Sequence, residues 1–403
     1  MSAIDERAGA FRHRMVRALV EMGITDEVVL DAMAEVPRHW FVDRFWATSP
    51  GNLCTPEHVR EFIVDDDAGD EILGLVYAVE KALVTRGPSD GSAATSSVSA
   101  PVIVASMLAE LDVQPGLRVL EIGTGSGYHA ALTAVLVGDP ALVTTVDIDR
   151  TLIPETMARI ERLGFAKMTV LCADGASGVA ERAPFDRIVA TVGCTDIASA
   201  WVEQLSADGQ ILVPLEHGFL HPRVQARLDR TGEELDLIGR FVGHSGFVRI
   251  QGLQGVASLW HATLRDRASG KMETLPAALL SALAPPDPDR PDRTPAVWNL
   301  AIYLAMRDRR CATGPALVEH GSAAVLRGGQ LLVTGAVGPA LKDRFIEIAI
   351  DWLELGAPGL DRYTMTFSPR RGSKDSPADL VAGPWQLDRP SHRQTISLLP
   401  RSA

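Results

Sequence analysis

The sequence of 403 residues contains only four cysteines, and no two of them form a CxxC pair. Their wide spacing (Cys54, Cys172, Cys194 and Cys311) excludes a disulfide framework and argues against a structural zinc site, since both need clustered cysteines. We expect no metal site. Cys172 and Cys194 lie in or near apolar runs, and free cysteine is among the most buried residue types, so we predict two buried thiols.

Long apolar runs are missing too, and none approaches the roughly 20 residues that cross a bilayer. The opening residues MSAIDERAGAFRHRM lack the apolar segment of a secretory signal. Basic residues number 39 against 51 acidic ones, giving a formal net charge of −12. Lys and Arg are scattered, which disfavours nucleic acid as a partner. We therefore expect a cytoplasmic protein with neither a membrane nor a nucleic-acid partner, while the oligomeric state stays open.

The length of the chain and its 46% hydrophobic residues indicate a globular protein of two or three domains. Changes in sequence pattern predict three regions. Residues 1–95 hold N-terminal helices and an irregular insert, residues 96–255 form an α/β core, and residues 256–403 form a C-terminal α+β domain.

Two helices are predicted at the start of the chain. Phe11, Met15 and Leu19 recur near a 3.6-residue period, and a second apolar face follows between a cap at Thr25 and a stop at Pro37.

The insert, at about 47–95, has turn chemistry and one strand-like piece, EILGLVYAVE, at 71–80. Its acidic run, residues 65–67, is expected to be a solvated loop.

Short apolar segments and helical segments alternate in the core, which predicts a mostly parallel sheet covered on both faces. The predicted strands are 117–122, 142–148, 168–172, 185–191 and 210–214, with helices at 102–111, 127–137, 154–163 and 197–205 and closing antiparallel strands at 225–230 and 247–251.

The C-terminal region shows no readable chemistry. We predict helices at 296–307 and 340–355, a hairpin at 323–334, and strands at 363–367 and 394–399. Its tryptophans (Trp298, Trp352, Trp385) are expected in the packed core rather than in a peptide groove.

The strongest local signal is the segment VLEIGTGSGY, in which a strand ends in Gly123, Gly125 and Gly127 before a helix begins. Glycines there let a ligand approach the backbone, and the helix N-terminus offers free N–H groups. In a doubly wound sheet this loop lies in the crevice at the carboxyl ends of the strands.

The spacing G-x-G-x-G differs from the G-x-G-x-x-G of dinucleotide-binding folds, which disfavours a nicotinamide oxidoreductase. Glu121 stands two residues before the first glycine, where it would repel a pyrophosphate but suits the ammonium and sulfonium groups of S-adenosylmethionine. Asp147, at the next strand end, is placed for ribose hydroxyls, and Asp174 for the adenine amino group. Asp186 is expected to support the fold.

At these residues the sequence resembles the protein-L-isoaspartate O-methyltransferase family. The resemblance runs from about residue 15 to residue 255 outside the insert. It rests on GITDEVVLDAMAEVPRHWFV, on SSVSAP at residues 96–101, on VLEIGTGSGYHAALTA, and on PFDRIVAT. It implies a Rossmann-like S-adenosylmethionine-dependent carboxyl methyltransferase acting on a peptide.

By position, Ser99 matches the family's catalytic serine; a cap for the helix at 101–111 is its alternative role. The substrate loop implied by the resemblance comprises Ser97, Val98, Ala100, Pro101 and Val102. The implied cofactor-binding residues are Glu121, Gly123, Thr124, Gly125, Ser126, Gly127, Asp147, Ile148, Asp174 and Gly175.

Three departures separate this chain from the short family members: the insert, the C-terminal region, and Val102 where the family has His. The long form resembles methyltransferases encoded with ribosomally made peptides such as lanthipeptides. The resemblance thus implies esterification of a peptide aspartate, leading to aspartimide and isoaspartate.

General isoaspartate repair is the second hypothesis. A non-catalytic peptide-binding protein on a Rossmann scaffold is a third, of a different class.

Overall fold

The computed structural model describes residues 3–48, 59–87, 94–216, 221–229, 236–248, 251, 270–283, 296–308, 310–311, 315–327, 329–369 and 385–399. The chain divides into two compact units. The first comprises residues 1–192, 200–213 and 247–253, and the second comprises residues 193–199, 214–246 and 254–403. These bounds differ from the predicted ones, because the second unit takes in chain segments that the sequence pattern assigns to the core.

The first unit opens with helices and a small antiparallel sheet of order β2-β1-β3-β4. The elements are α1 (Ala3–Glu21), α2 (Glu27–Glu35), β1 (Arg44–Thr48), β2 (Val59–Ile63), α3 (Asp70–Val76), β3 (Leu83–Arg86) and β4 (Ser96–Val98).

Both predicted N-terminal helices are confirmed, but the cap of α2 is Asp26 rather than Thr25. The carboxylate of Asp26 accepts a hydrogen bond from the backbone N–H of Val29 at 3.1 Å. Aspartate makes a better N-cap than threonine, and its oxygen reaches the N3 position here.

Within the insert, the strand expected at 71–80 is wrong, because the segment begins as helix α3. Leu73 and Val76 are both buried, and their three-residue spacing places them on one helical face. Residues 65–67 form the expected solvent-exposed loop. Residues 49–58 and 88–93 of the insert lie outside the described residues.

The parallel sheet of the first unit confirms the predicted alternation. Its elements are α4 (Pro101–Leu111), β5 (Val119–Ile122), α5 (Tyr128–Val137), β6 (Val143–Asp147), α6 (Leu152–Arg162), β7 (Thr169–Cys172), β8 (Phe185–Ala190), α7 (Ser199–Glu203) and β9 (Leu205–Pro214). The strand order is β7-β6-β5-β8-β9, and every adjacent pair is parallel. The order reverses beside β5, and ligands bind at such a switch point in open α/β sheets.

Cys172 and Cys194 have different surroundings. Cys194 is buried, as predicted. Cys172 is exposed, so its predicted burial is wrong. It is the final residue of β7, which is the edge strand of the parallel sheet.

Asp186 supports the fold, as predicted. One of its carboxylate oxygens accepts from the backbone N–H of Arg118 and the other from the hydroxyl of Ser206, each at 2.9 Å. These bonds tie the start of β8 to the segments on both sides of it.

The second unit is built from two antiparallel arrangements, β17-β18-β16-β11-β10 and β12-β15-β14-β13. Its elements are β10 (His221–Leu228), β11 (Leu237–Ser245), β12 (Lys271–Thr274), α8 (Ala277–Ala282), α9 (Ala296–Arg307), β13 (Ala316–Glu319), β14 (Ser322–Arg327), β15 (Gln330–Thr334), α10 (Gly338–Glu354), β16 (Tyr363–Pro369), β17 (Trp385–Asp388) and β18 (His392–Leu398).

Most elements predicted for the C-terminal region are confirmed, including the hairpin of β14 and β15 and both long helices. Trp352 and Trp385 are buried in the core, as expected, while Trp298 is partly buried. The closing strand predicted at 247–251 is wrong: the strand is β11, and the described residues of that segment are irregular. Among the described residues, no helix combines the length and apolarity needed to span a membrane.

Candidate active site

A cleft that is open to solvent lies in the first unit at the carboxyl ends of the parallel strands. Most of its lining comes from the residues after β5, β6 and β8 and from the segment before α4. The lining residues are Thr95, Ser96, Ser97, Val98, Ser99, Val104, Met107, Glu121, Ile122, Gly123, Thr124, Gly125, Ser126, Tyr128, His129, Val146, Asp147, Ile148, Gly175, Thr191, Val192, Val248 and Gln251.

The glycine loop after β5 has a backbone that side chains would not tolerate. Gly123 has φ +98°, and a Cβ there would lie 2.7 Å from the Val192 side chain. Gly127 has φ +88°, and its Cβ would meet Thr156 at the same distance. Gly127 is also the N-cap of α5 and supplies no side-chain cap, so the first N–H groups of the helix are left for another acceptor.

Glu121, the third residue of β5, is only 1% exposed. Its Oε2 accepts a hydrogen bond of 2.6 Å from the Thr145 hydroxyl, which is 2.7 Å from the hydroxyl of Thr124. Its Oε1 lies 2.9 Å from His129 Nδ1, but neither atom has a partner with hydrogen-bonding geometry. A buried carboxylate oxygen without a bond is costly, so Glu121 is prepared for a donor that enters the cleft.

Asp147 ends β6 and holds the glycine loop in place. Its Oδ2 accepts from the Gly125 N–H at 2.8 Å, and its Oδ1 accepts from the Asp149 N–H at 3.0 Å. Burial raises the pKa of Asp147, and these two backbone bonds act in the opposite direction. Each oxygen keeps a second lone pair, so the carboxylate can also accept from a ligand.

The segment before α4 brings Ser97, Val98 and Ser99 to the same cleft. The carbonyl of Ser99 accepts a hydrogen bond of 2.8 Å from Arg38. The alternative role of Ser99 as a helix cap is wrong: the N-cap of α4 is Ala100, with no side-chain cap bond, and Pro101 needs none at the first position.

Five predicted site residues do not line the cleft: Ala100, Pro101, Val102, Gly127 and Asp174. Asp174 accepts from the Ala176 N–H at 2.9 Å and so caps the short helix that begins at Gly175. The backbone N–H of Val102 donates to Val79 O at 3.0 Å. The contacts that we predict between these five residues and the cofactor or substrate stay predictions.

Other lining residues were missed by the sequence reasoning. Tyr128 and His129 directly follow the glycine loop, and Thr191 and Val192 follow β8. Glu121 was selected because ligands bind at the carboxyl ends of the strands. The same rule would have selected Thr191, which directly follows β8. Val248 and Gln251 have no such signal.

The residues fit S-adenosylmethionine, a cation with a ribose and a carboxylate. The buried Glu121 oxygen without a hydrogen bond would suit the cationic group, and uncapped N–H groups at α5 would suit the carboxylate. A second carboxylate stands at the end of the neighbouring strand for hydroxyl donors. Glycines with positive φ leave room for close approach to the backbone.

Comparison with known proteins agrees with this geometry. Residues 88–250 match the family described as Protein-L-isoaspartate(D-aspartate) O-methyltransferase (PCMT). A protein-L-isoaspartate O-methyltransferase of Roseiflexus sp. (strain RS-1) is 34% identical over 224 residues, which are 56% of this chain and 85% of the relative. One from Xanthobacter autotrophicus (strain ATCC BAA-1158 / Py2) is 36% identical over 211 residues, covering 52% and 80%.

The chain belongs to the protein-L-isoaspartate O-methyltransferase family. As a family member it is an S-adenosylmethionine-dependent carboxyl methyltransferase, as the sequence predicts. The predicted Rossmann-like fold is also confirmed.

One solved structure also bears on the C-terminal region of this family member. A protein named protein-L-isoaspartate O-methyltransferase aligns with a TM-score of 0.50 and 20% identity over 88% of this chain and 96% of its own. Residues 1–255 are too few to supply that share, so the aligned fold includes much of the region beyond them.

Proposed function

We propose that this family member methylates the side-chain carboxylate of an aspartate-derived residue in a peptide, with an isoaspartyl residue as the favoured substrate. One observation carries the proposal: a single cleft holds both the buried carboxylate of Glu121 and the serines of the 97–99 segment. The names of the relatives in the family support the isoaspartyl substrate.

The nucleophile needs little activation by the protein. Aspartyl carboxyl groups have an ordinary pKa near ~4, so the substrate is already ionised at neutral pH. When bound, the cofactor supplies an electrophilic methyl group. The chain has to strip water from the carboxylate and hold one oxygen in line, and such alignment can lower a barrier by several kcal/mol.

Ser99 is the residue we assign to that alignment. It lines the cleft, and its hydroxyl is not engaged in capping α4, so it is free to donate to a substrate oxygen. Its backbone is fixed by the bond from Arg38 to its carbonyl. A donor on a fixed backbone orients the carboxylate without covalent chemistry.

A second candidate is the aspartate of one dedicated, ribosomally made peptide, whose ester would close to an aspartimide and open to isoaspartate. The alignment with the Roseiflexus relative covers only 56% of this chain, so a large part of it has no counterpart there. That excess favours a function beyond the short family members. A solved structure of similar length shares much of this fold, so the presence of the C-terminal region does not by itself favour a dedicated peptide.

Three peptides of one sequence, carrying isoaspartate, aspartate or asparagine, separate the two candidates when methyl transfer is measured. Turnover of the isoaspartyl peptide alone supports the proposed activity. When the common sequence is that of a precursor encoded nearby, turnover of the aspartyl form alone supports the second candidate, and turnover of none in the presence of bound cofactor contradicts both.

Ser99→Ala tests the assignment of the aligning residue. We expect a fall of about tenfold or more in turnover with unchanged cofactor affinity, since one charge-assisted hydrogen bond is lost. Ser106→Ala is the matched control, because Ser106 lies on α4, does not line the cleft, and donates to Val102 O at 2.7 Å. Equal turnover of the two variants would remove Ser99 from the mechanism.

A further inference from the structure

A buried cation stands directly behind the 97–99 segment. Arg38 is 0% exposed, in the short 3-10 helix Arg38–Phe41 that follows α2. Its Nε donates to Val76 O at 2.8 Å and its Nη2 to Ser99 O at 2.8 Å. These partners are neutral carbonyl oxygens, and within the described part of the chain no carboxylate forms an ion pair with this guanidinium.

One nitrogen of the guanidinium, Nη1, is buried without a partner of good hydrogen-bond geometry, and the only side-chain acceptor that interacts with this guanidinium among the described residues is the neutral hydroxyl of Tyr128. A buried charge normally acquires an opposite charge, and a buried donor normally acquires an acceptor. Arg38 therefore favours a nearby negative charge that the described residues do not supply.

Tyr128 is the group that connects this cation to the cleft. The guanidinium carbon of Arg38 lies 5.1 Å from the centre of its ring, and the ring of Phe41 packs against it at 5.4 Å. Tyr128 is 2% exposed, yet it lines the cleft; its hydroxyl interacts with the Arg38 guanidinium, and its own proton has no acceptor among the described residues.

The hydroxyl of Tyr128 remains a donor under all ordinary conditions. Burial raises the pKa of Tyr128 to about 12, although the guanidinium groups of Arg38 and Arg12 act to lower it. A protonated phenol beside two cations attracts an anion and can donate one hydrogen bond to it.

We propose that Tyr128 and Arg38 form a carboxylate-binding corner of the cleft. Tyr128 donates to a carboxylate oxygen, and Arg38 is a positioning residue that acts through Tyr128 and through the carbonyl of Ser99. The proposed reaction brings two carboxylates into the cleft, that of the peptide substrate and that on the methionine part of the cofactor. If the bound carboxylate is that of the peptide, this inference rests on the proposed function. If it is that of the cofactor, it does not.

Tyr128→Phe tests the corner by removing only the hydroxyl. The first arm measures Kd for S-adenosylhomocysteine, which carries the carboxylate, and for 5′-methylthioadenosine, which lacks it. The second arm measures Kd for the isoaspartyl peptide and for the same peptide carrying asparagine. Because both arms measure binding, they give a result even if no methyl transfer is detected.

We expect the variant to lose about tenfold or more in affinity for one carboxylate-bearing ligand, with less than twofold change for its neutral counterpart. The arm that changes identifies the source of the carboxylate. Equal small changes for all four ligands would overturn the proposal.

Tyr77→Phe is the matched control. Tyr77 is also a buried tyrosine near Arg38, but its hydroxyl lies 2.8 Å from His39 Nδ1 and it does not line the cleft. We expect this variant to lose stability while keeping its preference for carboxylates.

Arg38→Lys tests the positioning role, since it keeps the charge but not the fork of donors. We expect a smaller loss of carboxylate preference than Tyr128→Phe gives. A folded variant with a larger loss would contradict an action of Arg38 through Tyr128.

Discussion

Replacing Glu121 by Gln should weaken cofactor binding while leaving the fold intact. The Thr145 hydroxyl donates to Oε2, so it will select the amide orientation that presents oxygen to it. The amide nitrogen then takes the place of Oε1, the oxygen that lacks a hydrogen bond. The variant thus exchanges a free anionic acceptor for a neutral donor at nearly constant volume.

The magnitude follows from one charge-assisted hydrogen bond, which contributes roughly 1.5–3 kcal/mol. At about 1.4 kcal/mol per tenfold, the Kd for S-adenosylmethionine should rise by about 10- to 100-fold. Calorimetric titration measures this directly, and thermal unfolding of the free variant reports whether the fold has been disturbed.

Asp186→Asn is the matched control for this prediction. Asp186 is a carboxylate of the same sheet that lies outside the cleft and accepts two hydrogen bonds. It should lower stability without changing the Kd. An unchanged Kd in the Glu121 variant would refute the reasoning that the free oxygen serves the cofactor, and with it the basis for the site.

Three further predictions concern packing, pH and the second unit. Gly175→Ala places a Cβ 2.4 Å from the Ile122 side chain, so we expect about 1–3 kcal/mol lower stability in denaturant unfolding; an unchanged midpoint would contradict the contact. Burial raises the pKa of Asp147, so it takes up its proton at a higher pH than an ordinary aspartate, and cofactor affinity should fall as pH falls through that value. Asp147→Asn should flatten this profile in titrations at several pH values, and a persistent slope would assign it to another group. Asp196→Ala removes an acceptor that is 0% exposed and serves the backbone N–H groups of Ser391 and His392, so the second unit should lose about 1–3 kcal/mol by hydrogen exchange; retained protection would refute this.

The sequence predicts the parallel sheet well because local pattern and tertiary role coincide there. β5 is buried at all four positions and is apolar except for Glu121, and the glycines mark its end without ambiguity. Carboxyl ends of parallel strands meet at one edge, which is why the strand-end rule places Glu121 and Asp147 in one cleft; Asp174, selected by the same rule, does not line it.

The insert was predicted poorly because its strands depend on distant partners. β4 has three residues and pairs with β3 through a register shift, so neither strand shows a long alternating pattern. β1 pairs with β2 across residues 49–58, and turn composition there conceals the pairing. In α3, Leu73 and Val76 fit a helical spacing, but within EILGLVYAVE the apolar residues are too dense to distinguish helix from strand.

Three sequence features suggested a dedicated peptide substrate, and the structure supports them unequally. Val102, which stands where the family has His, does not line the cleft. The fold that aligns with one solved structure includes much of the C-terminal region, so the presence of this region alone carries no argument about the substrate. The insert still favours a dedicated peptide. β3 lies within it, β4 lies directly after it, and β4 leads into the 97–99 segment of the cleft. A change in peptide preference should therefore follow changes near β3 more than changes in the second unit.

Tyr128 and His129 show why reasoning from strand ends recovers only one side of the cleft. The rule selects acidic groups and glycines on the sheet, which together suit a cation. The opposite character comes from Arg38, which reaches the 97–99 segment from the N-terminal helices, about sixty residues earlier in the chain. No local pattern links such positions, because a buried Arg without an acidic neighbour looks like any surface Arg in sequence. Methyl transfer from a cationic donor to a carboxylate needs acidic groups for the donor and basic groups for the carboxylate in one cleft. Here the sheet supplies the acidic groups, and the N-terminal segment supplies Arg38.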